Sequence, residues 1–341
     1  MPTTIHVRRV LFGLILALAA GLPSVAQETN SAANAHQLFQ SAFQLQMQAG
    51  RLKDPAQAID LLQRAISLYS AALQAQPTFH DGWWKRGQCR QQLADLTQNP
   101  EDRRRLLTAA LADFTKATQL PDADWNSWRG LGYLLNSHVE LLSADLAGRQ
   151  PLLRQARDSY LHAAPLAKLK SQQSQTEGEL AACLAQLAWL VPTPVEQQAL
   201  REEALRRFSQ VGASWEVSAN AWLLGLWGMT LSELRKSTHD PAFTRQAIEK
   251  LSAAVELEPA NLITAYNLAC QYALNNQMEE AIRILSRCLN DRSQGTYFRR
   301  LAADDPDFTA LRQTTAYAQL IKTAPPGGTG TGTGAGRKNS P

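Results

Sequence analysis

Small and apolar residues recur at a fixed interval towards the C-terminal end of the chain. One pattern occurs twice, 34 residues apart, as Ala247, Ile248, Leu251 and Ala254 and again as Ala281, Ile282, Leu285 and Cys288. A second apolar series lies between these copies, at Ala265, Leu268, Ala269 and Tyr272. Both spacings place their side chains on one helix face. The pattern predicts stacked antiparallel helices and is clearest over residues 247–289.

Weaker copies of the same pattern lie upstream. They are Ala65, Tyr69 and Ala72; Ala110, Phe114 and Ala117; Ala156, Tyr160 and Ala163; and Ala204, Phe208 and Val211. Prolines precede these four copies and the Ala247 copy, and they are predicted to mark the inner turns of the hairpins, at Pro55, Pro100, Pro151, Pro194 and Pro241. Since a single hairpin cannot bury its own apolar face, the hairpins must stack on one another.

The order of residues in the clearest repeat resembles the tetratricopeptide repeat (TPR) family. The resemblance rests on Ala265, Leu268, Ala269, Tyr272, Ala281, Leu285 and Cys288, with Pro259 after a second helix. It implies an all-α, right-handed α-solenoid of stacked antiparallel helical hairpins over residues 36–322. The earlier hairpins depart from the family pattern because they are longer, which predicts a thicker stack with irregular curvature.

The end of the predicted array has its own pattern. Residues 296–322 resemble the closing segment of bacterial TPR arrays, and Asp305-Pro306 is typical of a capped helix start. Asp304, Asp305 and Asp307 are better explained by capping than by a metal ion. Residues 323–341 alternate Gly and Thr and contain little to bury, which predicts a disordered tail.

The N-terminal residues have the pattern of an export signal. Arg8 and Arg9 precede an apolar run, and small residues follow it near Ala26, where cleavage is expected. We therefore expect a signal peptide over residues 1–26, a flexible segment over 27–35 and a periplasmic or secreted bacterial protein without a membrane span in its mature chain. A buried first helix and an uncleaved anchor remain alternatives.

Charge and cysteine content narrow the class of protein. The chain has 34 Lys and Arg against 30 Asp and Glu, and four of the basic residues lie in the predicted signal and tail. The remaining body is near neutral, which argues against nucleic acid or an anionic membrane as the main partner. Cys270 and Cys288 are the only pair placed for a disulfide, while small apolar packing is the competing explanation for all four cysteines.

No arrangement of residues indicates catalysis. The chain lacks the serine-hydrolase, zinc-protease, CxxC and phosphate-loop motifs, and its histidines have no metal-ligand spacing. We expect a protein that is not an enzyme and that needs no cofactor or metal.

The remaining candidate for function is a surface formed by the first helices of the hairpins. In TPR proteins these helices line the concave face, and carrying that over gives Asp81, Trp84, Gln88, Gln92, Arg129, Tyr133, Asn136, Trp222, Leu226 and Tyr266 as a groove for a protein or peptide. The predicted function is a non-catalytic interaction scaffold of the bacterial cell envelope. A solute- or glycan-binding accessory subunit is the alternative, favoured if the groove proves to be a closed, aromatic-lined cavity.

Overall fold

The computed structural model describes residues 25–322, with side chains from residue 31 onward. This part of the chain is helical and contains no strand. The first helix of the described residues is Val25–Ala49, so the segment 27–35 that was expected to be flexible is helical instead. The predicted disordered tail lies outside the described residues, as does nearly all of the predicted signal peptide.

Two compact units divide the chain, Met1–Ala123 (unit 1) and Asp124–Pro341 (unit 2). Unit 1 contains two antiparallel hairpins, formed by α1 (Val25–Ala49) with α2 (Pro55–Ala75) and by α3 (His80–Leu96) with α4 (Pro100–Thr118). Its core is built from small residues around Tyr69, which is fully buried. Helix α2 packs on α3 and thereby joins the two hairpins.

Unit 2 contains four hairpins and two short connecting helices. In chain order the helices are α5 (Trp125–Ser137), α6 (Val139–Leu142), α7 (Leu146–Ala163), α8 (Lys170–Leu190), α9 (Pro194–Val211), α10 (Trp215–Ser218), α11 (Ala221–Thr238), α12 (Pro241–Leu257), α13 (Leu262–Leu274) and α14 (Met278–Leu289). The hairpins pair α5 with α7, α8 with α9, α11 with α12 and α13 with α14. In both units, each hairpin contains the second helix that the small-residue pattern predicted. The fold is all-α and TPR-like.

Proline and a capping residue begin most of the second helices. Asp54 caps α2 by accepting the Ala56 N–H at 3.0 Å, and Pro55 occupies the first turn, where the missing N–H costs no hydrogen bond. Asn99, Thr193 and Asp240 do the same for α4, α9 and α12. Pro151 is the exception, because it lies inside α7 and Asp145 caps that helix instead. The prediction that Pro151 marks an inner turn was therefore wrong.

Small residues allow the helices of a hairpin to approach closely. A Cβ placed on Gly132 of α5 would lie 3.0 Å from the Tyr160 ring of α7, so the glycine makes room for the large buried side chain opposite. The cysteines serve the same packing role. All four are buried and free, and the Cys288 thiol donates to the Leu262 carbonyl at 3.5 Å. Cys270 and Cys288 thus do not form the disulfide that was considered.

The chain ends its described part in a closing segment. This segment consists of α15 (Gly295–Asp304), two 3₁₀ turns (Pro306–Phe308 and Leu311–Gln313) and α16 (Thr315–Lys322). Phe298 and Phe308 are buried against Tyr266 of α13, with ring centroids 5.5 and 5.4 Å away. Asp305 caps the first 3₁₀ turn by accepting the Asp307 N–H at 3.0 Å, as its position before Pro306 predicted.

Candidate functional site

The first helices of unit 1 form one continuous side-chain cluster. On α3 the predicted residues Asp81, Trp84, Gln88 and Gln92 follow one another at helical spacing and share a face. The Trp84 indole N–H donates to the Asp81 carboxylate at 3.2 Å, which holds the ring along the helix. We call the surface formed by these residues and their neighbours on α1 the unit 1 face.

A lysine is held between two aromatic rings on this face. The Lys85 ammonium lies 4.2 Å from the centroid of the Trp84 ring and 4.8 Å from that of Phe43 on α1. Burial lowers the pKa of Lys85, and the nearby Asp81 opposes that change. The cation–π contacts join α1 to α3 and leave the amine within reach of Gln88, at 3.2 Å.

Below the lysine, an amide network fixes the positions of the two predicted glutamines. Gln46 is buried, accepts the Tyr69 hydroxyl at 2.8 Å and donates to Gln92 at 2.9 Å and to Gln88 at 3.3 Å. The Tyr69–Gln46 contact therefore positions the amide groups that reach the surface. Sequence reasoning missed Gln46, Phe43 and Lys85, although the i, i+4 pair Phe39 and Phe43 on α1 was a usable signal.

The first helices of unit 2 form a second face around a buried ion pair. Arg129 of α5 donates to both oxygens of Glu179 of α8, at 2.5 and 3.0 Å. Burial raises the pKa of the Glu179 carboxyl, and the Arg129 guanidinium opposes that rise. Arg129 also lies 5.4 and 5.5 Å from the ring centroids of Trp125 and Tyr133, one turn before and one turn after it. Arg129 is therefore mainly a structural link between α5 and α8.

Two further predicted residues extend this second face. Tyr133 meets Trp222 of α11 edge to face, with centroids 6.1 Å apart. Both rings are partly exposed, so they remain candidates for ligand contact. We call Trp125, Tyr133 and Trp222 with the Arg129–Glu179 pair the unit 2 face.

Three of the predicted groove residues are internal. Asn136, Leu226 and Tyr266 are 1%, 7% and 4% exposed. Asn136 bonds to Gln186 at 2.9 Å, and the Tyr266 hydroxyl donates to Asp305 at 2.8 Å, so their polar atoms are used within the fold. Because neighbouring hairpins and the closing segment cover these three side chains, we exclude them from the surface proposed to bind a partner.

One cluster in the described residues has metal-ligand chemistry. Ligand atoms of Cys270, Asp305 and Asp307 lie within 4.8 Å of one another. Both oxygens of Asp305 already accept hydrogen bonds, from Tyr266 and from the Asp307 N–H. These contacts account for Asp305 as a cap that attaches the closing segment to α13.

A surface cavity of about 770 Å³ opens at the turn between α1 and α2, lined by Gln48, Arg51, Leu52, Ala56, Gln57, Asp60 and Leu61. It includes none of the predicted groove residues. No helix within residues 25–322 is long and apolar enough to cross a bilayer.

Comparison with known proteins finds similarity only at the level of structure. No family model and no curated protein sequence matches the chain. Among solved structures, YrrB, described as a TPR protein with an unusual peptide-binding site, is 15% identical, with a TM-score of 0.42 over 68% of this chain and 98% of its own. TTC0263, a thermophilic TPR protein from Thermus thermophilus, is 17% identical, with a TM-score of 0.42 over 66% of this chain and 97% of its own. Yeast Tom70 is 12% identical, with a TM-score of 0.34 over 89% of this chain and 69% of its own.

Proposed function

We propose that the protein is a non-catalytic interaction scaffold of the bacterial cell envelope and that its unit 1 face binds an extended segment of a partner protein. The observation that carries this proposal is the cluster of Trp84, Lys85 and Phe43 above the glutamine network. Partly exposed aromatic side chains contribute disproportionately to binding energy at protein interfaces. The envelope location is supported by the export signal expected from residues 1–26.

The polar groups of this face suit a polypeptide backbone. Gln88 and Gln92 each have an amide N–H₂ that no contact described above uses. The Gln88 oxygen already accepts from Lys85 and Gln46, whereas the Gln92 oxygen accepts from Gln46 and can accept a second hydrogen bond. An extended segment presents N–H and C=O groups that match such amides, while its apolar side chains can pack on Trp84 and Phe43. Because Gln46 and Tyr69 hold the amides in place, little side-chain entropy is lost on binding.

A second candidate function is favoured by the unit 2 face. Trp125 and Tyr133 lie beside the Arg129 guanidinium, whose side chain is 22% exposed, and Trp222 packs on Tyr133. Aromatic rings beside fixed hydrogen-bonding groups also suit a small polar solute or a glycan. The alternative function is therefore a binding subunit for such a ligand, with unit 2 as its site.

Cross-linking and affinity capture from the envelope fraction test the scaffold proposal. The parent chain is compared with Trp84→Ala, and Trp83→Ala is the matched control, because its indole N–H donates to the Pro77 carbonyl rather than to Asp81. Arg129→Ala is a poor probe because it would leave the buried Glu179 carboxylate without its partner. Thermal melts establish that each variant is folded.

The proposal expects a partner that the parent and Trp83→Ala retain and that folded Trp84→Ala loses. A partner retained equally by all three would show that the unit 1 face is not the binding surface. No captured protein, together with a glycan or solute that raises the melting temperature of the parent but not of Trp222→Ala, would favour the alternative.

A further inference from the structure

Unit 2 exposes four large apolar side chains. Three of them are close in sequence, and the topology brings the fourth to the same end of the unit. Leu161, Leu166, Leu169 and Trp215 have 47%, 38%, 60% and 77% of their surface accessible. We call these four residues the apolar edge. They lie where one hairpin ends and the next begins, outside both of the faces described above.

The topology of the hairpins brings these residues to one end of unit 2. Leu161 lies at the end of α7, and Leu166 and Leu169 lie in the short connection to α8. Helix α9 runs antiparallel to α8, so α10, which follows α9, returns to the end where α8 begins. Val217 of α10 packs on α8 so closely that a Cβ on Gly178 would lie 2.8 Å from it. Helix α10, which begins with Trp215, therefore packs beside α8.

Leu169 differs from the N-cap residues of most of the longer helices of unit 2, although α14 and α15 also lack a side-chain cap. It occupies the N-cap of α8 and supplies no side-chain hydrogen bond there. The longer helices α5, α7, α9, α11, α12 and α13 have Asp, Asn or Thr at this position, each accepting a backbone N–H. A leucine more than half exposed at a cap gains neither packing nor a hydrogen bond. Such a conflict between sequence and local structure is typical of a functional position.

Positive charge accompanies the exposed leucines. Lys168 and Lys170 flank Leu169 and are exposed, and no carboxylate in the described part of the chain lies within salt-bridge distance of either. The nearest acidic residues along the sequence are Glu177, which pairs with Arg207, and Asp158, which pairs with Arg157 at 2.8 Å. The connection Leu166–Lys170 thus presents two leucines and two unpaired ammonium groups.

We propose that the apolar edge binds the surface of an anionic lipid bilayer. The exposed residues lie at the end of unit 2 where one hairpin connects to the next, so lipid headgroups can reach them. Tryptophan and leucine prefer the boundary between headgroups and acyl chains, while lysines beside them attract anionic headgroups. The near-neutral charge of the whole body predicts no long-range attraction to a membrane, and the contact depends instead on this local group.

Co-sedimentation with vesicles tests the proposal. The full chain and its variants are purified alike, and mass spectrometry establishes that they share one N-terminus. One set of vesicles contains equal parts of phosphatidylglycerol and phosphatidylethanolamine, and the other contains phosphatidylcholine alone. We expect the parent to bind the anionic vesicles and Leu169→Asp to bind at least about tenfold more weakly, because it exchanges an inserting side chain for a charge. Lys168→Gln with Lys170→Gln should weaken binding several-fold and reduce its dependence on salt.

Val195→Asp is the matched control. Val195 is 82% exposed at the start of α9, at the opposite end of the hairpin, so the same kind of substitution there should leave vesicle binding unchanged. Trp84→Ala should also bind normally, which separates this surface from the unit 1 face.

Three results would overturn the proposal. They are failure of the parent to bind anionic vesicles, equal binding by the parent and Leu169→Asp, and equal binding of the parent to neutral vesicles. Loss of a captured protein by Leu169→Asp, with vesicle binding unchanged, would assign the edge to a protein partner instead.

Discussion

Leu169 occupies a position where the backbone favours a residue whose side chain accepts a hydrogen bond, so the leucine lowers stability there. Its backbone already has extended N-cap geometry, and the Gln172 side chain reaches back to accept the Leu169 N–H at 3.1 Å. Half of a capping box is therefore in place, and aspartate would supply the missing acceptor. We predict that Leu169→Asp raises the free energy of unfolding by about 1 kcal/mol, measured by urea denaturation.

Leu169→Ala is the control for that prediction. It removes the exposed apolar side chain but adds no acceptor, so its stability should stay within about 0.5 kcal/mol of the parent. A Leu169→Asp protein no more stable than Leu169→Ala would contradict the capping argument. Greater stability combined with weaker vesicle binding would show that leucine is retained there for function rather than for folding.

The Arg129–Glu179 pair makes a second prediction at the scale of single residues. Glu179 has only 3% of its side chain exposed, so its carboxylate relies on Arg129 for compensation. We predict that Arg129→Met lowers the free energy of unfolding by about 3–5 kcal/mol, because it leaves an unpaired buried charge. Thermal and urea denaturation measure the effect.

The double variant separates the contribution of the ion pair to stability from that of the packing around it. Arg129→Met with Glu179→Leu removes both charges and keeps comparable volume, so it should recover most of the stability that Arg129→Met loses. A double variant as unstable as the sum of both single variants would mean that packing, and not charge, dominates at this position.

At the scale of helices, the sequence determined the second helix of each hairpin more surely than the first. Small residues at fixed spacing, as in Ala247, Leu251 and Ala254, must lie against a partner helix, and all three are buried. Proline with a preceding cap then located the inner turns, except in α7. There Asp145 provides a cap six residues before Pro151, and the sequence alone did not distinguish the two starts.

The candidate site was less predictable, for a physical reason. Helical spacing assigned Trp84, Gln88 and Gln92 to one face, and the structure places them there. Spacing does not reveal which neighbouring element covers a face, and for this reason Leu226 and Tyr266 were misplaced on an open surface. Long-range partners such as Glu179 for Arg129, fifty residues away, leave no local signal.

Two glycines of α11 provide a matched test of close helix packing. A Cβ on Gly228 would lie 2.5 Å from Cγ of Leu251 on α12, whereas the nearest atom to a Cβ on Gly225 is Thr264 Oγ1 at 3.6 Å. Alanine favours a helix over glycine by about 1 kcal/mol at either position. We predict that Gly228→Ala nevertheless destabilises by about 1–3 kcal/mol through overpacking, while Gly225→Ala is neutral or stabilising.

Urea denaturation of both variants measures the difference in their free energies of unfolding. Because both glycines lie in α11, the gain in helix propensity is the same for both variants and cancels in the comparison. Equal stability of Gly228→Ala and Gly225→Ala would show that α11 and α12 can separate without cost.

At the scale of the whole chain, stacked hairpins leave apolar surface exposed at the end of a stack. The closing segment covers α13 and α14, and its Phe298, Phe308 and Leu311 are almost completely buried. Repeat arrays need such a terminal element with a polar outer side to remain soluble. The two ring contacts to Tyr266 and the Tyr266–Asp305 hydrogen bond show that this segment belongs to the core of unit 2.

Truncation before Gly295 should therefore expose the apolar side of α13 and α14, including Tyr266, which is 4% exposed in the intact chain. We predict that this truncated protein unfolds at a lower temperature than the parent and aggregates, as light scattering during a thermal melt would record.

Removal of residues 323–341 alone is the control, because those residues contain little to bury and the melt should be unchanged. The variant Phe308→Ala leaves the chain length intact and should lose about 3–5 kcal/mol by creating a cavity beside Tyr266. The prediction would be wrong if the protein truncated before Gly295 melted like the parent and Phe308→Ala remained as stable. In that case α13 and α14 would be stable without the closing segment, and the segment would not be the terminal element of the array.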